Sequence, residues 1–301
     1  MVYLSLIHIF RNTRQRGASF GVARGPATVR VSLQQPLELT SQIGRGVIDM
    51  LAYVGSLARI SAQAGYYAFV SPFRGRPLRL DRAFGQAMEV GVRALPVLSL
   101  ITFFIGLILA MQGAYELRKF GAIHFVADAV AISMTRELGP LITAIVVIGR
   151  SGSAFAAELG TMKVNEEIDA LETMAISPVQ FLVTPKFLAM ILMLPCLTIW
   201  ANFMGILGGS LFGVWKADFA WIGYMHASLD ALFLRDITTG LIKSIMFGIT
   251  ITAVGCSEGL ATGTGAESVG KSTTSAVVMS IFMVVVVDLV FTALFFFVGG
   301  L

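Results

Sequence analysis

Residues 187–215 carry no charged side chain. A helix needs about 20 predominantly apolar residues to cross the hydrocarbon core of a bilayer, and this run is longer than that. A helix lying on a soluble core keeps one polar face toward water. This run has no such face, so it predicts a membrane span. Four other stretches read the same way. Residues 94–112 follow an amphipathic lead over 81–93. Residues 123–148 are a weaker candidate, because Arg136, Glu137 and Pro140 sit inside them. Residues 237–256 carry only Lys243, and residues 276–301 carry only Asp288. Charged residues make up 13% of the chain against about 25% in soluble domains, so much of this chain has lipid as its solvent. The expected fold is an all-α integral membrane protein: five transmembrane helices behind an N-terminal amphipathic helix that lies in the interface.

Three regions follow. Residues 1–40 are rich in arginine and punctuated by Gly25, Pro26 and Pro36, and read as a flexible cytoplasmic tail in which Val29, Val31 and Leu33 permit a short strand. Residues 1–10 are apolar but too short to span, and their arginines follow the apolar run. A secretory signal peptide has its charges first, so none is expected here. Residues 41–80 form the interfacial helix and a connector. Ile43, Val47, Met50, Val54 and Leu57 recur every three or four residues, while Arg45, Asp49 and Arg59 interrupt the run. That pattern suits a helix lying in the membrane surface, with a soluble core helix as the alternative. Residues 81–301 form the spanning domain. Arg74, Arg76, Arg79, Arg82 and Arg93 put its N-terminal side in the cytoplasm by the positive-inside rule, and five spans then place the C-terminus outside.

The net charge of +4 gathers in arginines with few interleaved aromatics ahead of an apolar run. This points to anionic lipid headgroups rather than nucleic acid. Cys196 and Cys256 give neither a disulfide framework nor metal spacing, and His8, His124 and His226 are scattered. No metal and no directly bound cofactor are expected.

Four features remain. Residues 265–272 match the phosphate-binding pattern G-x-x-x-x-G-K-S letter for letter, but that loop works only between a buried strand and a soluble helix. Flanked by two spans, it reads as a tight turn. Gly205, Gly209 and Gly213 lie on one face of the third span and let helices approach closely. In residues 165–176, Ile168, Leu171, Met174 and Ala175 share a face, and Glu166, Glu167, Asp169 and Glu172 cover the rest. This is either a solvated loop or a docking element for a soluble partner. Arg136, Glu137, Lys243 and Asp288 are charges at membrane depth, each costing about 2.5–3.5 kcal/mol on insertion scales. They either serve a translocation path or pair within the bundle.

Arg136-Glu137-Leu138-Gly139-Pro140, Gly149-Arg150-Ser151-Gly152-Ser153-Ala154 and Ala157-Glu158-Leu159-Gly160-Thr161-Met162 together resemble the MlaE/YrbE permease family. So do Glu166-Glu167-Ile168-Asp169-Ala170-Leu171, Met174-Ala175-Ile176-Ser177-Pro178 and Gly208-Gly209-Ser210. The likeness continues through Leu241-Ile242-Lys243-Ser244, Val269-Gly270-Lys271-Ser272-Thr273-Thr274 and Asp288, from about Arg82 to the C-terminus. The resemblance implies the non-catalytic permease subunit of an ABC transporter in a bacterial inner membrane. It implies a permease dimer, two cytoplasmic ATPase subunits that use the ATP, and a periplasmic ring of MCE-domain protein. The cargo would be phospholipid or another apolar lipid. Residues 165–176 would be the helix that couples to the ATPase. Lipid would lie near the dimer interface between the first and fifth spans, with Leu107, Met111, Val287 and Phe291 near its acyl chains. Two other functions are compatible with the residues themselves. One is an ion- or proton-coupled carrier using Glu137, Lys243 and Asp288. The other is a non-transporting scaffold for the MCE ring.

Overall fold

A computed structural model describes residues 35–71, 80–216 and 220–299. The chain divides into two compact units, residues 1–49 and 50–301. The described part of the first is helical. It belongs to α1, Gln35–Gly65, which runs on into the second unit. Of the tail expected over residues 1–40, residues 35–40 belong to α1, while residues 1–34, the connector over 72–79 and the side chains of Ile43, Arg45 and Val47 lie outside the described residues.

Within the second unit α1 passes into a widened π turn at Tyr66–Val70. Its inner stripe is Leu57, Ala64 and Ala68, all buried, while Met50, Leu51 and Val54 are exposed. Tyr53 and Leu57 pack against Ala253, Val254 and Met283, and the Tyr53 hydroxyl donates to Glu258 at 2.9 Å. Tyr53, Leu57, Ala64 and Ala68 follow steps of four, seven and four residues, the period of one helical face.

Five helices are long and apolar enough to cross a membrane, and the described residues contain no strand. The first, α2, is Leu80–Lys119. The amphipathic lead expected before the first span is therefore continuous with it. The second, α3, is Ile123–Val164. Its charges and Pro140 do not end it. Two π turns, Met134–Leu138 and Ile148–Gly152, absorb them. A short helix α4, Glu167–Thr173, follows. The third span, α5, is Thr184–Lys216 behind a π turn at Val179–Val183. Then come α6, Trp221–Asp230, and the last two spans, α7, Leu234–Leu260, and α8, Ala266–Gly299.

The closest packing joins α2 to α5. These helices run parallel, with Gly91 facing Met193 and Gly106 facing Gly205. A methyl added at Gly208 would strike the carbonyl of Phe103. Trp200 Nε1 donates to Ser99 Oγ across the same seam at 2.7 Å. On its other side the α5 glycine row meets different elements. A methyl at Gly205 would strike the Met134 side chain, and one at Gly209 would lie 2.6 Å from Tyr224 Oη. The four-residue row thus receives α2, α3 and α6 on one helix. Tyr224 is buried there, and burial pushes its phenol above the ordinary range. α7 packs on α3, α5 and α8, and Gly255 and Gly259 allow the close approach to α3.

Candidate functional site

Pro140 shapes the first site. Proline has no N–H to give the carbonyl four residues back, and its ring crowds that carbonyl. The helix widens instead: Gly139 N–H reaches back five residues to the Met134 carbonyl. Such π turns inside α-helices mark functional sites with some frequency. The widened turn displays Arg136 and Glu137 toward different partners. The Arg136 Nε lies 3.6 Å from Asp236 Oδ1 on α7. Glu137 pairs with Lys243, also on α7. Gly240 admits this turn, since a methyl there would strike the Thr135 carbonyl.

Lys243 is the hub. Its side chain is 1% exposed, and its Nζ reaches three groups on two helices. These are the Glu137 carboxylate, Asp288 Oδ1 at 3.0 Å and Thr292 Oγ1 at 2.7 Å. A buried ammonium survives desolvation only when paired and hydrogen-bonded, and here it hydrogen-bonds to Glu137 and Thr292 and lies within ion-pair distance of Asp288. Two cations and three carboxylates, Glu137, Asp236 and Asp288, leave the network one negative charge in excess. Lys243 lies nine residues into α7, about 14 Å along the axis at 1.5 Å per residue. The network therefore sits at membrane depth. It is sealed on the Lys243 side and open at Glu137, whose side chain is 39% exposed.

All four of these charges pair across the bundle, Arg136 with Asp236 and both Glu137 and Asp288 with Lys243. The adjacent Arg136 and Glu137 do not pair with each other. Asp236 and Thr292 belong to the network as well and were not expected from sequence. Asp236 lies in the first turn of α7 and accepts the Phe233 N–H at 3.1 Å, a role that in sequence looks like ordinary helix-end chemistry. Thr292 is uncharged and gives no signal. Val287 packs against the main core, and Phe291 stands beside Phe295 on α8. Leu107 and Met111 are on α2, which packs chiefly on α5, whereas α8 packs on α7 and α3.

α4 lies at the other end of the bundle, between α3 and α5. Its lining differs from the expectation. Ile168 and Leu171 are 3% and 9% exposed and belong to the chain's own core. Leu171 is therefore not available to a partner groove, because two apolar side chains on a seven-residue helix suffice only to seat it on its own bundle. What α4 presents outward is Met174, 61% exposed, with Glu166, Glu167, Asp169 and Glu172. Asp169 holds Lys163 at 2.6 Å. The helix ends with Ala175 at φ 57°, Ile176 N–H to the Leu171 carbonyl and Ala175 N–H to the Glu172 carbonyl, the paired bonds of a left-handed C-terminal cap.

Residues 265–272 open α8 and are not a cradle between strand and helix. Gly265 takes φ 90°, and Ser268 Oγ bonds to the carbonyls of Gly263 and Gly265. Lys271 pairs with Glu267 one turn earlier, both well exposed. Among the described residues no cluster of His, Cys, Asp and Glu is suited to a metal ion.

Residues 83–294 match the model of the family described as "Permease MlaE". A Rickettsia felis protein named "Probable ABC transporter permease protein" is 37% identical over 260 residues, covering 86% of this chain and 98% of the relative. The "Intermembrane phospholipid transport system permease protein MlaE" of Haemophilus influenzae is 33% identical over 264 residues, again covering 86% and 98%. The chloroplastic protein trigalactosyldiacylglycerol 1 of Arabidopsis thaliana is 38% identical over 211 residues, 70% of this chain and 60% of that protein.

Proposed function

The chain belongs to the MlaE permease family, and from that premise we propose that it moves phospholipid through the membrane for an ATPase partner, exchanging it with an MCE-domain protein outside. The observation that carries this is the network centred on Lys243. It ties α3, α7 and α8 together at membrane depth and leaves one carboxylate, Glu137, open. A lipid headgroup crossing an apolar bundle needs such a polar station, and charges at membrane depth mark transport paths. The name of the Haemophilus relative supports phospholipid as the cargo.

The permease itself performs no bond chemistry. ATP binding and hydrolysis belong to the soluble subunits, which seat against α4. Their binding biases the bundle only so far as they hold one of its arrangements more tightly than another. The cytoplasmic side is the end carrying Arg82 and α4, and the network then lies in the outer half. Two permease copies enclose the lipid, with Leu107 and Met111 of α2 and Val287 and Phe291 of α8 lining its acyl chains.

The test is ATP-dependent transfer of a fluorescent phospholipid from proteoliposomes holding the permease and its ATPase to an MCE-domain acceptor. Glu137→Gln should slow transfer at least severalfold while the ATPase still co-purifies. Transfer that proceeds without ATP would favour the ion-coupled carrier, and ATP hydrolysis that moves no lipid would favour the scaffold.

A further inference from the structure

The run Gly149-Arg150-Ser151-Gly152 takes no part in the Lys243 network. It lies in the second π turn of α3, Ile148–Gly152, and at that turn the helices part. α2 packs on the stretch of α3 before it, whereas the turn and the stretch beyond pack chiefly on α7 and α8. The Arg150 side chain crosses the gap and donates to the Arg93 carbonyl on α2. A guanidinium has five N–H donors. Among the described residues Arg150 has that one acceptor and no carboxylate within ion-pair distance, although it is exposed. The Arg93 side chain is exposed as well, with one N–H on Glu89 at 2.6 Å. Gly149 keeps the approach open, since a methyl there would meet nothing within 4 Å.

Depth identifies the anion that these guanidinium groups meet. Arg93 is the last charge before the uncharged run over residues 94–115, so both arginines sit where hydrocarbon gives way to headgroups, the level at which long basic side chains reach lipid phosphate. The Arg93 face of α2 then continues into lipid. Val97, Leu100 and Phe104 follow Arg93 at steps of four, three and four residues, the period of one helical face, and all are about half exposed. Arg93 to Phe104 spans about 16 Å at 1.5 Å per residue, half of a hydrocarbon core about 30 Å thick. That is the reach of the acyl chains of one leaflet. On α3 the exposed Ile145 lies five residues before Arg150, one widened turn away. Leu141 and Glu137 follow it at steps of four, both partly exposed, so this face leads from Arg150 to the open carboxylate of the network.

From this geometry we infer that Arg150 and Arg93 take the phosphate of an inner-leaflet phospholipid, its acyl chains lying along Val97, Leu100 and Phe104, and hold it at the foot of the α3 face that leads to Glu137. Glu89 occupies one N–H of Arg93 and repels a second negative charge, so the phosphate sits on the Arg150 side. The site deepens the proposed function as the position where lipid is loaded, and it rests on that reading for the assignment of this end to the cytoplasm.

The experiment uses the full chain in nanodiscs with a photoreactive residue in place of Val97. Phosphatidylglycerol is the probe, and diacylglycerol is the phosphate-free comparison. A second photoreactive position, Ile199 on the exposed side of α5, reports lipid that merely surrounds the protein. Capture of phosphatidylglycerol at position 97 should fall about tenfold in Arg150→Gln, the loss of one charge-assisted contact. It should fall less in Arg150→Lys, which keeps the charge without the fork, and capture at position 199 should not change. Equal capture of the two lipids at position 97, or unchanged capture in Arg150→Gln, overturns the site. Displacement by millimolar inorganic phosphate overturns it in favour of a free anion. If Arg150→Gln does not fold, Arg93→Gln decides in its place, because its carbonyl still receives Arg150. Bound lipid is measured without ATP, so the two readings fail separately. Arginine-dependent capture in a chain that transfers no lipid sinks the transport reading and leaves the site standing, whereas full transfer by Arg150→Gln overturns the loading role.

Discussion

Lys243 has no water to turn to. With its three partners supplied by α3 and α8, its replacement by an apolar residue leaves Glu137 and Asp288 facing each other. Removing one partner of a buried pair costs about 3–5 kcal/mol, because the remaining charge stays buried. Lys243→Met should therefore lose much of its folded yield, read as monodisperse protein surviving a heat step in detergent. Survival equal to the parent chain would mean that water reaches the network. Glu137→Gln is the contrast. Its side chain is over a third exposed, and Lys243 keeps Asp288 and Thr292, so the cost should be about 1 kcal/mol or less. Four of the five charged members of this network, Arg136, Glu137, Lys243 and Asp288, were legible in sequence as charges inside apolar runs. Their pairing was not, since it depends on how α3, α7 and α8 rotate about their axes, and the π turn before Pro140 resets that rotation by one residue.

At the level of elements, the spans were legible because apolar length alone decides them, while their ends and breaks were not. α3 continues through Pro140 because a wider turn costs less in lipid than exposing backbone polar groups. In α4 the position, length and two-faced pattern were readable, but which face meets the bundle was not. Leu171→Asp should unfold this end of the bundle, since it buries a carboxylate in the apolar core, and folded yield in detergent should drop sharply. Met174→Asp should leave the fold intact, with thermal survival unchanged, and weaken capture of the ATPase. Burial of a methionine in a partner groove is worth about 1.5–3 kcal/mol. If the ATPase binds Met174→Asp as it binds the parent, α4 is a solvated turn. Ala175 offers a gain instead. A non-glycine residue in the left-handed region costs roughly 1–2 kcal/mol, and glycine relieves it at some entropic cost in the unfolded chain. Ala175→Gly should thus stabilise the chain by about 0.5–1 kcal/mol, visible as greater survival in the same heat step.

At the scale of the molecule, the five spans are not equally enclosed. Within their most apolar stretches α7 and α3 are 56% and 50% buried, α2 is 28% buried and α8 only 17%. Exposure of α8 alone demands nothing, because lipid covers apolar side chains as well as protein does. The polar groups make the difference. Glu137 and Thr292 both reach the surface beside α8, where in a lone chain a carboxylate would face acyl tails at a cost of a few kcal/mol. A second copy of the chain, apposed along α8, would remove that cost by closing the open side of each network into a shared polar interior. Val278, Phe282, Val285 and Leu289, spaced by four, three and four residues along the exposed face of α8, would supply the apolar seam for it. The spacing was visible in sequence, but only the position of the open carboxylate singles out this face among several apolar ones. The expected outcome is specific. In a background lacking Cys196 and Cys256, single cysteines at Leu289 or Thr292 should crosslink copies of the chain in membranes, whereas one at Trp200 on exposed α5 should not. The crosslinked fraction at position 292 should stay constant as the protein is diluted in lipid, as for a stable pair and unlike random collision. Crosslinking confined to Trp200, or falling in proportion to dilution at every site, would leave the Glu137 side of the network open to lipid and the single chain as the transporting unit.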